Sequence, residues 1–541
     1  MTRAGRKRPC PARLRCAILA AAVCMGLAGA PARLAGQSEG LGMLSFPSSG
    51  APGAQHAFLR GMLLLHSFEY EDAAEAFREA QAVDPGFAMA YWGEALTWQR
   101  LLWGQDFLSE ARAALAKLGP DPAARAAKAG TARERAYLVA LETLLGDGTL
   151  DERARGFERG MAAVHTVYPE DDEAAAFHAL SILMAGDPRD PATAARSAAL
   201  VEDVARRNPY HPGAIHYLIH SYDSPVLAPL GLHWARVYSR LAPEAEHALH
   251  MPSHIFIHLG MWDEVAASNE ASIRASYAWV ARKGLGVLDL DFHSHQWLSY
   301  AYQQQGRRAA ARAVTDTVLR LLEGRDVSGR HWNVANGILI QQVQWGFETG
   351  DWSWFDGRAI PAVDPAGGFL PYALPLYGHG MAAAARSDGE TVVHVTRALR
   401  AEGGPNPAAR RVMAGQVEAL LALRTGDRER AAALSTDAVR DAASFRVGSP
   451  AVFQPPFELH GEILLAAGRH AEAAAAFDRA LEGHPQRARS LLGRARAAAG
   501  AGDEEAATRF YGLLVEMWDR ADPGLPGLDE ARRGAAGDDA N

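Results

Sequence analysis

With 541 residues, 48% of them hydrophobic and 22% charged, the chain is long and apolar enough to bury an extended core, which excludes wholesale disorder. Its formal net charge of −8 offers no basic balance, so nucleic acid or an anionic membrane surface is not an expected partner. Ala, Leu, Glu and Arg dominate and β-branched residues are sparse, which favours helices over sheets.

The first 36 residues differ from the rest. Arg3, Arg6, Lys7, Arg8, Arg13 and Arg15 form a basic head, an apolar run follows from Cys16 to Leu27, and small residues stand at Ala28, Gly29, Ala30, Ala32 and Ala35. That order predicts a secretory signal peptide over 1–36 and export to a periplasmic or extracellular space. The apolar run is short for a membrane span, which leaves an uncleaved anchor as the weaker reading. A lipid-anchored reading through Cys24 is weakened by Val23, which stands where a small residue is wanted. All three cysteines (Cys10, Cys16, Cys24) lie inside this segment, so the mature chain has neither a disulfide nor a thiolate ligand. Cleavage near Gly36 leaves 48 basic against 63 acidic residues, a net charge of −15. Residues 37–54 then read as a flexible N-terminal segment.

From Gln55 onward a repeat sets the pattern. Gly61, Ala73, Phe77, Ala80 and Pro85 recur near the other end as Gly461, Ala473, Phe477, Ala480 and Pro485, with Gly468 between paired helices. Small residues let two helices approach, Phe fills the space beside them, and Pro ends the second helix. A turn glycine followed five residues later by an apolar residue repeats at Gly260/Val265, Gly306/Ala311, Gly350/Phe355, Gly426/Ala431, Gly468/Ala473 and Gly502/Ala507. Amphipathic stretches such as Phe292 to Gln305 and Val412 to Arg424 flank these turns.

On these residues the chain resembles the tetratricopeptide repeat (TPR) family, and within it exported bacterial proteins with a His-rich central segment. The resemblance implies an all-α fold, a TPR-like right-handed superhelical solenoid of antiparallel helix pairs. It spans 55–522 in roughly eight to ten pairs, with clear repeats near 55–118 and 454–520 and degenerate, His-rich ones over 170–325. It also implies that the first helix of each pair lines the concave side, where a protein or peptide partner binds. Loops are expected at 119–132, 223–231, 360–371 and 403–407, and a flexible tail over 523–541. The aromatic patch Tyr91, Trp92, Trp98 and Trp103, like Trp345, Trp352 and Trp354, reads as packing between repeats.

The centre stands out chemically. Residues 211–258 hold eight of the 20 histidines: His211, His216, His220, His233, His247, His250, His254 and His258. His216 and His220 are four apart, as are His254 and His258, which puts each pair on one helical face. Two imidazoles so placed can bind one metal ion or donate to one anion. With Gly260 as the turn glycine, the repeat register places His250, His254 and His258 on a concave face. His216 and His220 lie on the matching face of the preceding repeat, and His293 on that of the next. The expected groove residues are therefore His216, Tyr217, His220, Asp223, His250, His254, His258, His293 and His295. The candidate metal set is His216, His220, His254, His258 and His293.

Three readings stay open: a coordinated metal, a metal-free polar pocket, or structural histidines in a mixed aromatic core. Without thiolates a metal would be zinc, copper, nickel or iron, and an exported location permits zinc or copper without selecting between them. The chain contains no His-Glu-x-x-His, no Cys-x-x-Cys-His, no phosphate-binding Gly-x-x-x-x-Gly-Lys and no Gly-x-Ser-x-Gly. The leading expectation is an exported scaffold holding a peptide, protein partner or small ligand in its groove. The alternative is a His-coordinated metalloprotein, either carrier or enzyme, with Glu246, Asp289 or Asp291 as a base for a reaction the sequence does not assign. It sets no oligomeric state either.

Overall fold

A computed structural model describes residues 36–38, 40–327, 332–364, 368–443 and 448–537. The expected signal segment lies outside the described residues except for Gly36. The chain is an all-α, TPR-like solenoid of antiparallel helix pairs. In order the pairs are α1 (Pro52–His66) with α2 (Tyr70–Val83), α3 (Ala88–Leu96) with α4 (Leu108–Ala116), and, after the short α5 (Pro122–Ala126), α6 (Ala132–Leu144) with α7 (Leu150–Val167). There follow α8 (Asp172–Ala185) with α9 (Pro191–Arg207) and α10 (Pro212–Ser221) with α11 (Ala228–Leu241). The consecutive pieces α12 (Glu246–His250) and α13 (Pro252–His258) then pair with α14 (Trp262–Lys283), and α15 (Phe292–Gln304) with α16 (Arg308–Leu322). Beyond α17 (Trp332–Thr349) come α18 (Phe369–Ala385) with α19 (Gly389–Leu399) and α20 (Pro407–Arg424) with α21 (Arg428–Ala442). The series ends with α22 (Pro456–Ala466) and α23 (His470–Gly483), α24 (Ala488–Ala501) and α25 (Glu504–Met517), and a last helix α26 (Leu528–Ala536). Among the described residues there are eleven such pairs, one more than the upper end of the eight to ten expected.

The repeat glycines do what their spacing suggests. A Cβ at Gly61 would stand 2.8 Å from the Phe77 ring and one at Gly93 only 2.4 Å from it, so Phe77 fills a slot between two helices that only glycine leaves open. Phe477 sits likewise between Gly461 and Gly493, at 2.9 and 2.1 Å. Gly93→Ala is therefore expected to cost about 1–3 kcal/mol through overpacking of this fully buried ring, read as a lower urea midpoint with unchanged slope.

Four expectations need correction. Residues 37–54 are not loose: strands β1 (Gly36–Ser38) and β2 (Gly42–Leu44) form a hairpin. Leu41, Leu44 and Phe46 are buried, and Met43 N donates to Tyr210 O at 2.8 Å. The tail forms α26, held by buried Leu528 and Ala531 and by Glu530, which accepts from Arg496 at 2.7 Å and from Tyr511 at 2.8 Å. Gly350 opens no second helix, because Trp352, Trp354 and Phe355 fold inward as a single 3-10 turn. Finally, the 119–132 loop contains α5, capped by Asp121.

Neighbouring pairs stack as a solenoid requires, but both ends also return to the centre. α1 packs on α10, and Asp72 of α2 pairs with Lys283 at 2.7 Å and accepts from the Trp279 indole at 3.1 Å. At the other end Trp262 Nε1 donates to Gln486 O at 2.9 Å, and Trp518 Nε1 donates to Gln304 O at 3.0 Å. Between these two contacts lies a fully buried ion knot. Arg487 donates to both oxygens of Glu458, to Glu348 and to the Tyr300 hydroxyl. Burial pushes Glu348 up, whereas the Arg487 guanidinium overrides burial at Glu458 and holds it down. Among the described residues no helix is long and apolar enough to cross a membrane.

Candidate metal centre

The site begins at the corner between α1 and α2. The equivalent corners of other pairs carry Gly260, Gly306, Gly426, Gly468 and Gly502, with φ between 66° and 88°. Here the left-handed position is held by Phe68, with φ 59°. A bulky side chain there costs about 1–3 kcal/mol and persists only where its surroundings hold it. What holds it is a set of imidazoles: the Phe68 ring centroid lies 4.4 Å from His216, 5.9 Å from His220 and 5.5 Å from His247. The α1–α2 corner thus plugs the solenoid where an open groove was expected.

The three imidazoles around Phe68 each offer a nitrogen within 4.8 Å of the other two. His216 is fully buried, and its Nδ1 lies 2.7 Å from the His66 carbonyl oxygen. A carbonyl only accepts, so Nδ1 carries the proton and Nε2 the lone pair. The Nε2 atoms of His216, His220 and His247 are all buried without a hydrogen-bond partner. Burial, with neighbouring imidazoles, holds His216 and His247 well below the ordinary imidazole range and His220 down to about 3. Three rings held neutral by burial meet at one place, each with an unpartnered Nε2, and at His216 that atom carries the lone pair.

A second triad adjoins the first: His250, His254 and His293, again within 4.8 Å of one another. Asn269 donates through Nδ2 to Val265 O at 2.7 Å, which fixes its Oδ1 as acceptor for His250 Nδ1 at 2.8 Å. His254 Nδ1 donates to Asp223 Oδ2 at 2.9 Å. The imidazoles of His254 and His258 override burial at Asp223 and hold its carboxyl far below the usual range. With its Nδ1 on the Asn269 acceptor, His250 presents Nε2 as a lone pair, and His254 Nε2 stands 3.1 Å from it, a spacing that either a shared proton or a metal ion between the two nitrogens satisfies. Two nitrogens on one tetrahedral ion at 2.0–2.1 Å would stand about 3.3 Å apart. A carboxylate or amide behind a ligating imidazole is the arrangement that orients metal-binding histidines.

A third group, His66, Glu173 and His211, is fully buried but chemically closed. Both imidazoles donate to Glu173, at 2.7 and 3.1 Å, while the Tyr217 hydroxyl donates to His66 and Ala214 N donates to His211. Every nitrogen is used, so this knot holds α1, α8 and α10 together and, through His66 O, orients His216. Beside the two triads stand Glu69 and Glu246. Burial raises Glu69 to about 8 despite the His247 N–H that it accepts, and burial with nearby Asp291 pushes Glu246 well up.

The structure splits the predicted ligand set. His216 and His220 join one triad, while His254 and His293 join the other. His258 Nε2 donates to Asp223 Oδ1 at 2.9 Å and belongs to neither. His295 lies buried with Nδ1 on Asp291 O at 2.8 Å, and Tyr217 serves the closed knot. Sequence reasoning left His247 out of the site, although its place three residues before His250 on a helix was a usable clue. It also missed Phe68 and Glu69, which no local spacing connects to the histidines. Trp103, expected to pack repeats, has its ring 5.3 Å from His247. Trp297 lies 4.5 Å from His254 and 4.9 Å from His250 and forms the opposite wall. His293 is exposed, whereas His216 and His250 are buried, so the chamber opens at His293 and is closed at depth.

These burials fix a pH dependence. In the unfolded chain imidazole titrates near 6.5, and in the folded chain His216 and His250 titrate far lower. Unfolded protein therefore takes up protons first, and stability present above about pH 6.5 is lost as pH falls, by up to about 1.4 kcal/mol per unit for each ring. Metal-free protein is expected to show a flat denaturation midpoint above pH 7 and a steep fall toward pH 4.5. A midpoint constant down to pH 4.5 would contradict neutral burial.

No protein-family model and no curated protein matches the chain. Among solved structures it is similar to Cut9 of the Cut9–Hcn1 assembly of the APC/C, at 11% identity over 90% of this chain and 77% of that one, with a TM-score of 0.33. Human IFIT1, solved with m7Gppp-AAAA, matches at 12% over 91% of each chain with a TM-score of 0.31. The P58(IPK) TPR domain matches at 12% over 90% and 98% with a TM-score of 0.21. Superpositions this loose carry no functional inference; the repeat architecture rests on the helix pairing itself.

Proposed function

We propose that this chain is an exported solenoid whose function is to hold a transition-metal ion, zinc or copper, on its central histidines. The observation that carries the reading is the trio of buried, unpartnered Nε2 atoms of His216, His220 and His247. A buried polar atom without a partner costs about 1–3 kcal/mol, and three aimed at one place are relieved together by one cation. Neutral imidazoles without thiolates suit zinc or copper and not the hard, oxygen-seeking magnesium or calcium. Export rests on the basic head, apolar run and small residues of 1–36. The test is elemental analysis of tag-free protein lacking residues 1–36, after incubation with zinc or copper and gel filtration. At least one equivalent is expected, and its loss in His216→Ala plus His247→Ala with helicity retained. Less than about a tenth of an equivalent of either metal sinks the reading.

The scaffold role stays as a second reading. It is favoured by a cleft of about 550 Å³ between α6 and α7, which carries the exposed Val139 and Val167 beside Arg153 and Glu152. A photo-crosslinker placed at Val139 should then capture a discrete envelope partner, and no adduct above a surface control removes this reading.

A further inference from the structure

We propose that the two triads together hold a pair of copper ions in one chamber, each ion on three imidazoles and both within reach of one bridging ligand. This rests on the metal reading above and adds to it the second ion, its identity and the pairing. The triads touch along two edges. His220 and His254 have ring centroids 6.2 Å apart, and His247 and His250 have theirs 6.1 Å apart. Each triad has its own buried anchor ring, His216 on the His66 carbonyl and His250 on Asn269, so neither borrows its geometry from the other. Each also has its own facing nitrogens: in the first, three partnerless Nε2 atoms, and in the second, two Nε2 atoms 3.1 Å apart, close to the spacing of two nitrogens on one ion.

The donor chemistry selects the ion. The six ligands are imidazoles, and the carboxylates bonded to them are already engaged: Asp223 accepts from the rings of His254 and His258, and Glu69 accepts from the His247 backbone N–H. Paired hard ions need bridging carboxylates, whereas an all-nitrogen, uncharged donor set suits copper, which binds such sites more tightly than the other divalent first-row ions. As copper(I) the pair brings only two charges into the chamber. As copper(II) it calls for a small bridging anion, and hydroxide formed from bound water, its proton leaving to solvent, can enter at the exposed His293. Phe68 on one side and Trp297 on the other restrict what else fits.

Copper titration with elemental analysis and quantitative EPR of the copper(II) form tests the pairing. Two coppers per chain are expected, with a spin count well below two because the ions couple. His250→Ala plus His254→Ala should keep one copper with its full spin. His293→Ala, at the exposed rim, should weaken the second copper at least about tenfold while the first is unchanged. One copper per chain, indifferent to the second-triad variants, overturns the pair but leaves the single-metal reading intact. Two coppers with every spin counted overturn the coupling, and zinc binding without copper overturns the choice of ion. Absence of any metal removes the underlying reading as well.

Discussion

Arg487→Met should destabilise the protein by about 3–5 kcal/mol, the largest single-residue effect expected outside the histidine chamber. Arg487 is fully buried, and its guanidinium is the cation that meets Glu458, Glu348 and Tyr300. Methionine fills the volume but leaves Glu458 charged in the core, with Ser490 Oγ still donating to it at 2.7 Å. The double variant Arg487→Met with Glu458→Gln should recover part of the loss, since the stranded charge is then gone. Urea denaturation followed by circular dichroism reads both. A single variant within about 1 kcal/mol of wild type would show that the knot does not tie the C-terminal pairs to α15 and α17.

Metal loading should produce the second large effect. An ion that binds the folded chain alone, at a free concentration a thousandfold above its Kd, stabilises by about 4 kcal/mol. Zinc or copper should therefore raise the melting temperature of chelator-treated protein, and His216→Ala or His247→Ala should abolish most of the rise. His258→Ala should keep it, because His258 is bound to Asp223 outside both triads. An equal loss in all three variants would point to nonspecific surface coordination.

Much of the architecture was legible because solenoid contacts are local. Gly61 with Phe77, and Gly461 with Phe477, report at short range a packing that the structure repeats at 2.8 and 2.9 Å. The four-apart histidine pairs were legible for the same reason, since a helix places them on one face. Which imidazoles share an ion was not legible. It depends on α12 and α13 being separate pieces broken at Pro252, which brings His247 to His216 and His250 to His293. Nor was the α1–α2 corner, since nothing periodic links Phe68 to residues 150 positions away. Tyr511, Arg496 and Glu530 show the same limit at the tail, where a polar, glycine-bearing segment orders through partners outside itself.

The return of α1 onto α10 also gives the chamber a place in time. Repeat arrays form by nearest-neighbour docking, so most of this chain's contacts are topologically cheap and fast. The bond between His66 and His216 joins residues 150 apart, and closing such a loop through a flexible chain costs about 4 kcal/mol of entropy. The intervening pairs must fold first and shorten that loop before the N-terminal corner can seat. The N-terminal wall of the chamber thus seats after the pairs between His66 and His216, and a metal ion arriving there meets those pairs already folded.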